Sequence, residues 1–120
     1  MDLEARAMAE TKAPWCPVTA TVEVIGGRWK STILFHLKDR PRRFNELRRL
    51  VPGITQRMLT LQLRALEQDG IVSRKVHDTI PPHVEYSFTK KGSTLGPILD
   101  AMEAWGDANR PRRRGRTEAP

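Results

Sequence analysis

Apolar residues recur at helical spacing through the first half of the chain. They do so over residues 17–25, 28–38 and 45–51, and a repeat of three to four positions predicts an amphipathic helix in each place. A pair of glycines ends the first helix and a proline follows the second, because both residue types interrupt helices. Residues 42–44 are too short for a free-standing strand but could pair with a hairpin elsewhere, with Phe44 packing inward.

The longest predicted helix runs over residues 55–69 and has one apolar and one polar side. Thr55 suits the N-cap, and Gly70 suits the residue that ends the helix. At about 100° per residue, the apolar side carries Met58, Leu59, Gln62, Leu63, Ala65 and Leu66. The polar side carries Gln56, Arg57, Thr60, Arg64, Glu67 and Gln68. Gln62, in the middle of the apolar side, is expected to be buried and hydrogen-bonded.

The N-terminal half of this polar side holds no acid, and its side chains can bond base edges and phosphates in a DNA major groove. The alternative is an ordinary surface helix with a solvated face. The segment before this helix favours the DNA-binding interpretation. A short helix and the turn Pro52-Gly53-Ile54 lead into it, which is the helix-turn-helix arrangement, in which the second helix enters the groove.

Two strands and a loop are predicted directly after the long helix. Residues 71–77 and 84–88 are rich in β-branched and aromatic residues, which is typical of strands, and Pro81-Pro82 shapes the loop between them. A hairpin in this position is a wing. The predicted fold class is therefore mainly α with a small β-wing (α+β), a winged helix-turn-helix.

A last helix is predicted from Lys90 onward, with Thr89 as its cap. Gly92, Gly96 and Pro97 weaken its first half, so we expect the strong part to run from about Pro97 to Trp105. Its apolar stripe consists of Leu95, Ile98, Leu99, Met102 and Trp105. Packing within the monomer is one way to cover this stripe. A stripe on a terminal helix commonly meets a partner chain, so we expect dimerisation through the terminal helices.

The predicted organisation is one domain with two flanking segments. Residues 1–13 are predicted to be a flexible arm, 14–106 the DNA-binding and dimerisation domain, and 107–120 a basic disordered tail.

The formal charge of +7 favours a polyanionic partner, but five Arg minus one Glu within residues 110–120 supply +4 of it. Basicity therefore supports DNA binding without establishing it. No stretch approaches a membrane span or a signal core, so we expect a cytoplasmic protein.

Two sets of residues are candidates for contact with double-stranded DNA. The long helix offers Thr55, Gln56, Arg57, Thr60 and Arg64. The flanking elements offer Lys30, Arg43, Arg74, Lys75 and His77 for contact with the DNA backbone. For each member of the second set, the alternative is a solvated surface residue without a DNA contact, and the sequence favours neither interpretation. Thr55 has two possible roles, as the helix cap or as a phosphate contact.

Cys16 is the single cysteine of the chain and precedes the first helix. One thiol excludes an internal disulfide and a multi-cysteine zinc site. Free N–H groups at a helix start favour a thiolate, which makes Cys16 a candidate redox sensor; the alternative is a small buried residue beside Trp15. His36, His77 and His83 show no ligand pair at helical or hairpin spacing, so neither a metal nor a cofactor is predicted.

The class of function follows from what the chain offers. No nucleophile–base pair, glycine-rich phosphate loop or placed carboxylate pair indicates an enzyme. A protein-interaction module would direct acids or apolar residues outward, whereas the long helix presents Arg57 and Arg64. We therefore predict a sequence-specific DNA-binding transcriptional regulator. An apolar pocket at the dimer interface, binding a small ligand, is the alternative to a switch at Cys16.

Several segments in one order resemble the HxlR-type winged helix-turn-helix transcriptional regulators of bacteria. The resemblance covers residues 16–106. The matching segments are Cys16-Pro17-Val18, Ile25-Gly26-Gly27-Arg28-Trp29-Lys30, Arg43-Phe44-Asn45-Glu46-Leu47, residues 52–60 and 63–70, Pro81-Pro82-His83-Val84-Glu85-Tyr86 and Trp105-Gly106.

The resemblance implies a homodimer that places two recognition helices in successive major grooves of a pseudo-palindromic operator, and we expect a repressor. It also implies that some members sense oxidants, quinones or aldehydes through the cysteine before the first helix, here Cys16. A two-thiol switch within one subunit is excluded because there is no second cysteine. A Cys16–Cys16′ bond between subunits and a mixed disulfide with a small thiol both stay open.

Overall fold

The computed structural model describes residues 15–110, so the predicted N-terminal arm and most of the predicted basic tail lie outside the described residues. The elements along the chain are α1 (Pro17–Ile25), α2 (Arg28–Leu37), β1 (Arg42–Arg43), α3 (Phe44–Leu50), α4 (Gln56–Gln68), β2 (Val72–His77), β3 (His83–Phe88), α5 (Lys90–Ser93) and α6 (Gly96–Ala108). This confirms a mainly α fold with a small β-wing. Within the described residues, every helix is too short or too polar to cross a membrane.

The sheet has three antiparallel strands in the order β1-β3-β2. The pairing of Arg42 with Tyr86 joins the two-residue strand β1 to the hairpin, so the prediction that it pairs with a hairpin is confirmed. In the hairpin itself, Val72 lies opposite Phe88 at one end and His77 lies opposite His83 at the other. Five residues, 78–82, form the loop of the wing.

The core lies where α4 packs against α2 and β2. The apolar side of α4 buries three leucines almost completely, and these meet buried side chains of α2 and α3, so that the largest enclosed residues are Ile33, Leu34, Leu47, Val51, Leu59, Leu63 and Leu66. Gln62 lies beside this core half-buried, and its Nε2 donates to Met58 Sδ at 3.2 Å. A polar residue is tolerated on the apolar side because it has this partner.

Local signals determine both ends of α4. Thr55 is the N-cap, and its hydroxyl accepts from the backbone N–H of Met58 at 3.0 Å, as the sequence predicts. Gly53, in the turn before the helix, has φ +85°, and Gly70, just after it, has φ +75°. Both values lie in the left-handed region that glycine adopts without strain.

An ion-pair cluster holds α3, the first helix of the helix-turn-helix, onto β1. Glu46 Oε2 lies 2.8 Å from Arg42 Nη1 and 2.5 Å from Arg40 Nη2, and Glu46 Oε1 accepts from the backbone N–H of Arg43 at 3.4 Å. The hydrogen bond from Arg42, followed by the contact with Arg40, lowers the pKa of the Glu46 carboxyl. The charge of Glu46 therefore stabilises the start of α3.

The last helix is broken in the half that the sequence marks as weak. α5 covers only Lys90–Ser93, and the apolar stripe lies on the separate helix α6, which continues to Ala108, two residues past the predicted domain end. Pro97, in the first turn of α6, lacks the N–H that would continue a helix from α5. Before the break, Gly92 is buried against the backbone of Ile71, and the Thr89 hydroxyl donates to the Gly70 carbonyl at 2.5 Å.

The apolar stripe of the last helix also divides. Leu95 and Leu99 are 8% and 3% exposed and belong to the core of the protomer, so the expectation that these two residues lie at a dimer surface is corrected. Ile98, Met102 and Trp105 remain exposed. One edge of the stripe therefore packs in the core, and the other edge is exposed to solvent.

Replacing the two glycines of this segment tests the close packing. A Cβ on Gly92 would overlap the carbonyl oxygen of Ile71 and lie 2.9 Å from its carbonyl carbon, whereas a Cβ on Gly96 meets no atom within 4 Å. Gly92→Ala should lower the free energy of unfolding by about 2 kcal/mol or more, because backbone atoms must move. Gly96→Ala should change it by less than about 1 kcal/mol. Urea unfolding followed by circular dichroism measures both, and equal values would contradict the packing described.

Candidate nucleic-acid interface

The N-terminal half of α4 presents a polar, cationic surface. Gln56, Arg57 and Arg64 are exposed, and Thr60 is half-buried with its hydroxyl donating to the Gln56 carbonyl at 2.9 Å. Within residues 15–110, neither arginine is engaged in an ion pair. Their guanidinium groups are therefore available to phosphates or guanine edges, the usual partners of arginine on DNA. The Thr55 hydroxyl accepts the cap bond and keeps its own hydrogen for a phosphate.

An open groove of about 560 Å³ runs between α4 and the inner face of the sheet. Its polar lining is Asn45, Gln56, Thr60, Arg64, Glu67 and Arg74. Arg74 lies opposite Tyr86 in the hairpin and shares its face. The groove therefore brings the predicted wing residue Arg74 beside the predicted recognition-helix residues Gln56, Thr60 and Arg64.

A second open groove of about 570 Å³ separates the start of α3 from the tip of the wing. Its lining includes Arg43 from the predicted set, together with Asn45 and Arg49 of α3. Sequence reasoning missed Asn45 and Arg49. The signal for them is their i, i+4 spacing on a helix whose buried residue is Leu47.

The remaining predicted backbone contacts do not share this surface. Lys30 lies in the first turn of α2, outside both grooves. Lys75 lies opposite Glu85, and His77 opposite His83, so both belong to the outer face of the hairpin, the face turned away from Tyr86. The predicted wing set is therefore divided between the two faces of one hairpin.

The outer face holds a cluster that the sequence argument did not foresee. His77 and His83 are direct cross-strand partners, so the expectation that no ligand pair stands at hairpin spacing is wrong. Their rings stack with centroids 4.5 Å apart, and His77 Nε2 lies 3.0 Å from Glu85 Oε1. Burial, followed by the charges of Arg43 and His77, lowers the pKa of His83.

Cys16 is exposed at the N-cap position of α1. It is therefore not the small buried residue of the alternative interpretation. The backbone N–H of Thr19, followed by the Thr19 hydroxyl and the N–H of Val18, lowers the pKa of the Cys16 thiol. Exposure and thiolate character are the two conditions for a reactive cysteine.

The terminal helices α1 and α6 expose apolar side chains. α1 buries only Ile25, while Val18 is 70% and Val22 is 56% exposed. On α6, Trp105 is 69% exposed. Met102 of α6 also lines an open groove of about 320 Å³ between α2 and α6, where it lies near Phe35. We call Val18, Val22, Ile98, Met102 and Trp105 the terminal-helix surface.

Two ion pairs join α6 to α2 beside this surface. Lys38 Nζ lies 2.6 Å from Asp100 Oδ1 and 3.5 Å from Glu103 Oε1. The hydrogen bond to Asp100 is the main reason why the pKa of Lys38 is raised. Exposed pairs of this kind contribute little to stability singly.

The model of the HxlR-like helix-turn-helix family matches residues 24–114. The chain belongs to the HxlR family. The HTH-type transcriptional regulator YybR of Bacillus subtilis (strain 168) is 58% identical over 95 residues, which span 79% of this chain and 76% of that protein. This HxlR chain is therefore a transcriptional regulator of the HxlR/MarR type and not an enzyme.

Two solved structures of HxlR-type regulators resemble this one. The redox regulator HypR in its oxidized form has a TM-score of 0.77 at 57% identity, over 81% of this chain and 100% of that chain. The reduced form of the transcriptional regulator YodB from B. subtilis has a TM-score of 0.69 at 35% identity, over 84% and 100%. Both likenesses support the winged-helix fold.

Proposed function

We propose that two copies of this chain pair through their terminal-helix surfaces and bind a pseudo-palindromic DNA operator as a repressor, with Cys16 as the group that responds to oxidants or electrophiles. The observation that carries the proposal is the exposed cationic side of α4, whose arginines make no ion pair within residues 15–110. The opposite side of the helix is fixed in the core by Leu59, Leu63 and Leu66. A helix held in this way is suited to a major groove.

The two grooves beside α4 supply the contacts that position it. Arg74 on the wing side and Arg49 on the α3 side flank the helix. Basic side chains on both sides of a recognition helix are placed to bind the two phosphate backbones that border a major groove. Base contacts then come from Gln56, Arg57 and Arg64, and orientation comes from the flanking arginines.

Pairing follows from the terminal-helix surface. α1 and α6 are each covered on one edge only, and the exposed edges are apolar. Exposed apolar side chains grouped on a helix favour an interaction site, and a second copy of the chain offers the same side chains in a two-fold arrangement. A two-fold pair that reads successive major grooves must hold its recognition helices about 34 Å apart, one turn of DNA, and the matching site is pseudo-palindromic.

Cys16 lies where chemistry can alter this pairing. It directly precedes α1, whose Val18 and Val22 belong to the terminal-helix surface. HypR, at 57% identity, is described as a redox regulator and is known in an oxidized and a reduced form. A disulfide here needs the partner's Cys16 or a small thiol, since the chain has one cysteine.

DNA binding is tested first with Arg57. Native protein should bind the DNA upstream of its own gene with a dissociation constant of about 10 nM or tighter at physiological salt. Arg57→Ala should weaken binding about 5- to 150-fold, because it removes a base or phosphate contact worth about 1–3 kcal/mol. Arg110→Ala, two residues beyond the end of α6, removes the same charge away from α4; it is the control and should change little. A native protein without a specific gel shift, or an Arg57→Ala variant that binds equally, would refute the proposal.

Pairing is tested by placing a charge on the terminal-helix surface. Met102→Glu should raise the dissociation constant of the dimer at least about 100-fold, because a buried, unpaired carboxylate costs several kcal/mol. Leu61→Glu is the control, since Leu61 and Met102 are both 45% exposed but Leu61 lies on α4. Sedimentation at micromolar concentration reads out both variants. Monomeric native protein, or dissociation by Leu61→Glu alone, would contradict pairing through this surface.

The thiol switch is tested with diamide, alone and with added free cysteine. Oxidation should change the operator affinity of the native protein about 5- to 150-fold, the usual range of coupling between sites. Cys16→Ser should bind the operator normally and give no response. Non-reducing mass spectrometry then separates a Cys16–Cys16′ pair from a mixed disulfide. A diamide response that persists in Cys16→Ser would exclude Cys16 as the sensor.

A further inference from the structure

Three ligand-type side chains meet on the outer face of the hairpin, at the end nearest the wing loop. His77 and His83 are cross-strand partners. Glu85 is two positions further along β3, so its side chain leaves the sheet on the same face. The nitrogen and oxygen ligand atoms of the three residues all lie within 4.8 Å of one another. We call them the hairpin triad.

We propose that the hairpin triad is a binding site for one divalent transition-metal ion, best matched by Zn²⁺, with water in the fourth position. Two imidazole nitrogens and one carboxylate oxygen form a donor set that suits zinc, whereas Mg²⁺ and Ca²⁺ take oxygen ligands. Tetrahedral zinc with bonds of 2.0–2.1 Å needs ligand atoms roughly 3.3 Å apart. The ligand atoms therefore close by about 1.5 Å at most. The stacked imidazole rings must also rotate out of their nearly parallel arrangement, so that the in-plane lone pairs of both nitrogens point at the ion.

Thr79 orients the second histidine of the triad. Its hydroxyl donates to the Pro81 carbonyl at 2.8 Å, so its oxygen is left to accept from His83 Nδ1–H at 3.3 Å. That bond assigns the proton of His83 to Nδ1 and leaves Nε2 free as the ligand atom. A ligating histidine whose other nitrogen is hydrogen-bonded is the usual arrangement at metal sites.

The charge around the triad makes Glu85 as necessary as the histidines. Arg43 on β1 and Lys75 on β2 both lie opposite Glu85 in the register. These cations oppose the approach of a metal ion, and the Glu85 carboxylate is the group in the triad that offsets them. The side chains of His77 and Glu85 are 28% and 32% exposed, which leaves room for a water ligand and a path for the ion.

Calorimetric titration of the full chain with ZnCl₂, in a buffer that does not bind zinc, tests the site. Native protein and Cys16→Ser should each take one Zn²⁺ per chain with the same affinity. His83→Gln and Glu85→Gln should each weaken binding at least about tenfold, since even second-shell partners cost about 10- to 100-fold. His36→Gln, which removes the one histidine outside the triad, should bind as the native chain does. Binding that is unchanged in His83→Gln, or lost in Cys16→Ser alone, would overturn the proposal.

A second measurement stays informative even where a variant fails to fold. In the native protein, saturating Zn²⁺ should shift the imidazole ¹⁵N resonances of His77 and His83 and leave those of His36 in place. Zinc should also raise the melting temperature of the native chain, because an ion that binds only the folded state stabilises it. Shifts confined to His36, or no shift at saturating Zn²⁺, would refute the site.

Discussion

The burial of one side of α4 against α2 and β2 determines which way the polar side chains of α4 point. Leu59, Leu63 and Leu66 are at most 1% exposed, and burying a leucine is worth about 1.5–3 kcal/mol. A rotation of α4 by one residue position would remove these side chains from the core and carry Arg64 toward it without a partner, at a further cost. The polar side is therefore held outward by the core itself.

Much of this arrangement could be predicted because it is local. The periodicity of residues 55–69, the cap Thr55 and the terminating Gly70 are all signals carried within one short segment. The same holds for the strands of the wing. The family resemblance in the sequence, now confirmed, rests on such segments in their order.

What could not be predicted depends on contacts between distant segments. The close packing of α5 depends on Gly92, which lies against Ile71, a neighbour 21 positions away along the chain that periodicity does not reveal. The division of the apolar stripe likewise depends on which edge of α6 meets α2. The pairing of His77 with His83 depends on a register that the five-residue loop sets. In each case the residue types are evident from the sequence, and their partners are not.

Most of α1 is exposed, and this exposure links the order of the helix to the chemistry of the Cys16 thiol. α1 has nine residues, most of them β-branched, and buries one side chain; a helix this short is marginal in water without outside contacts. The backbone N–H groups that lower the pKa of Cys16 point at its sulfur only while the first turn of α1 is helical. If α1 unwinds, the thiol returns toward its ordinary acidity. The acidity of the Cys16 thiol therefore depends on the helical state of α1.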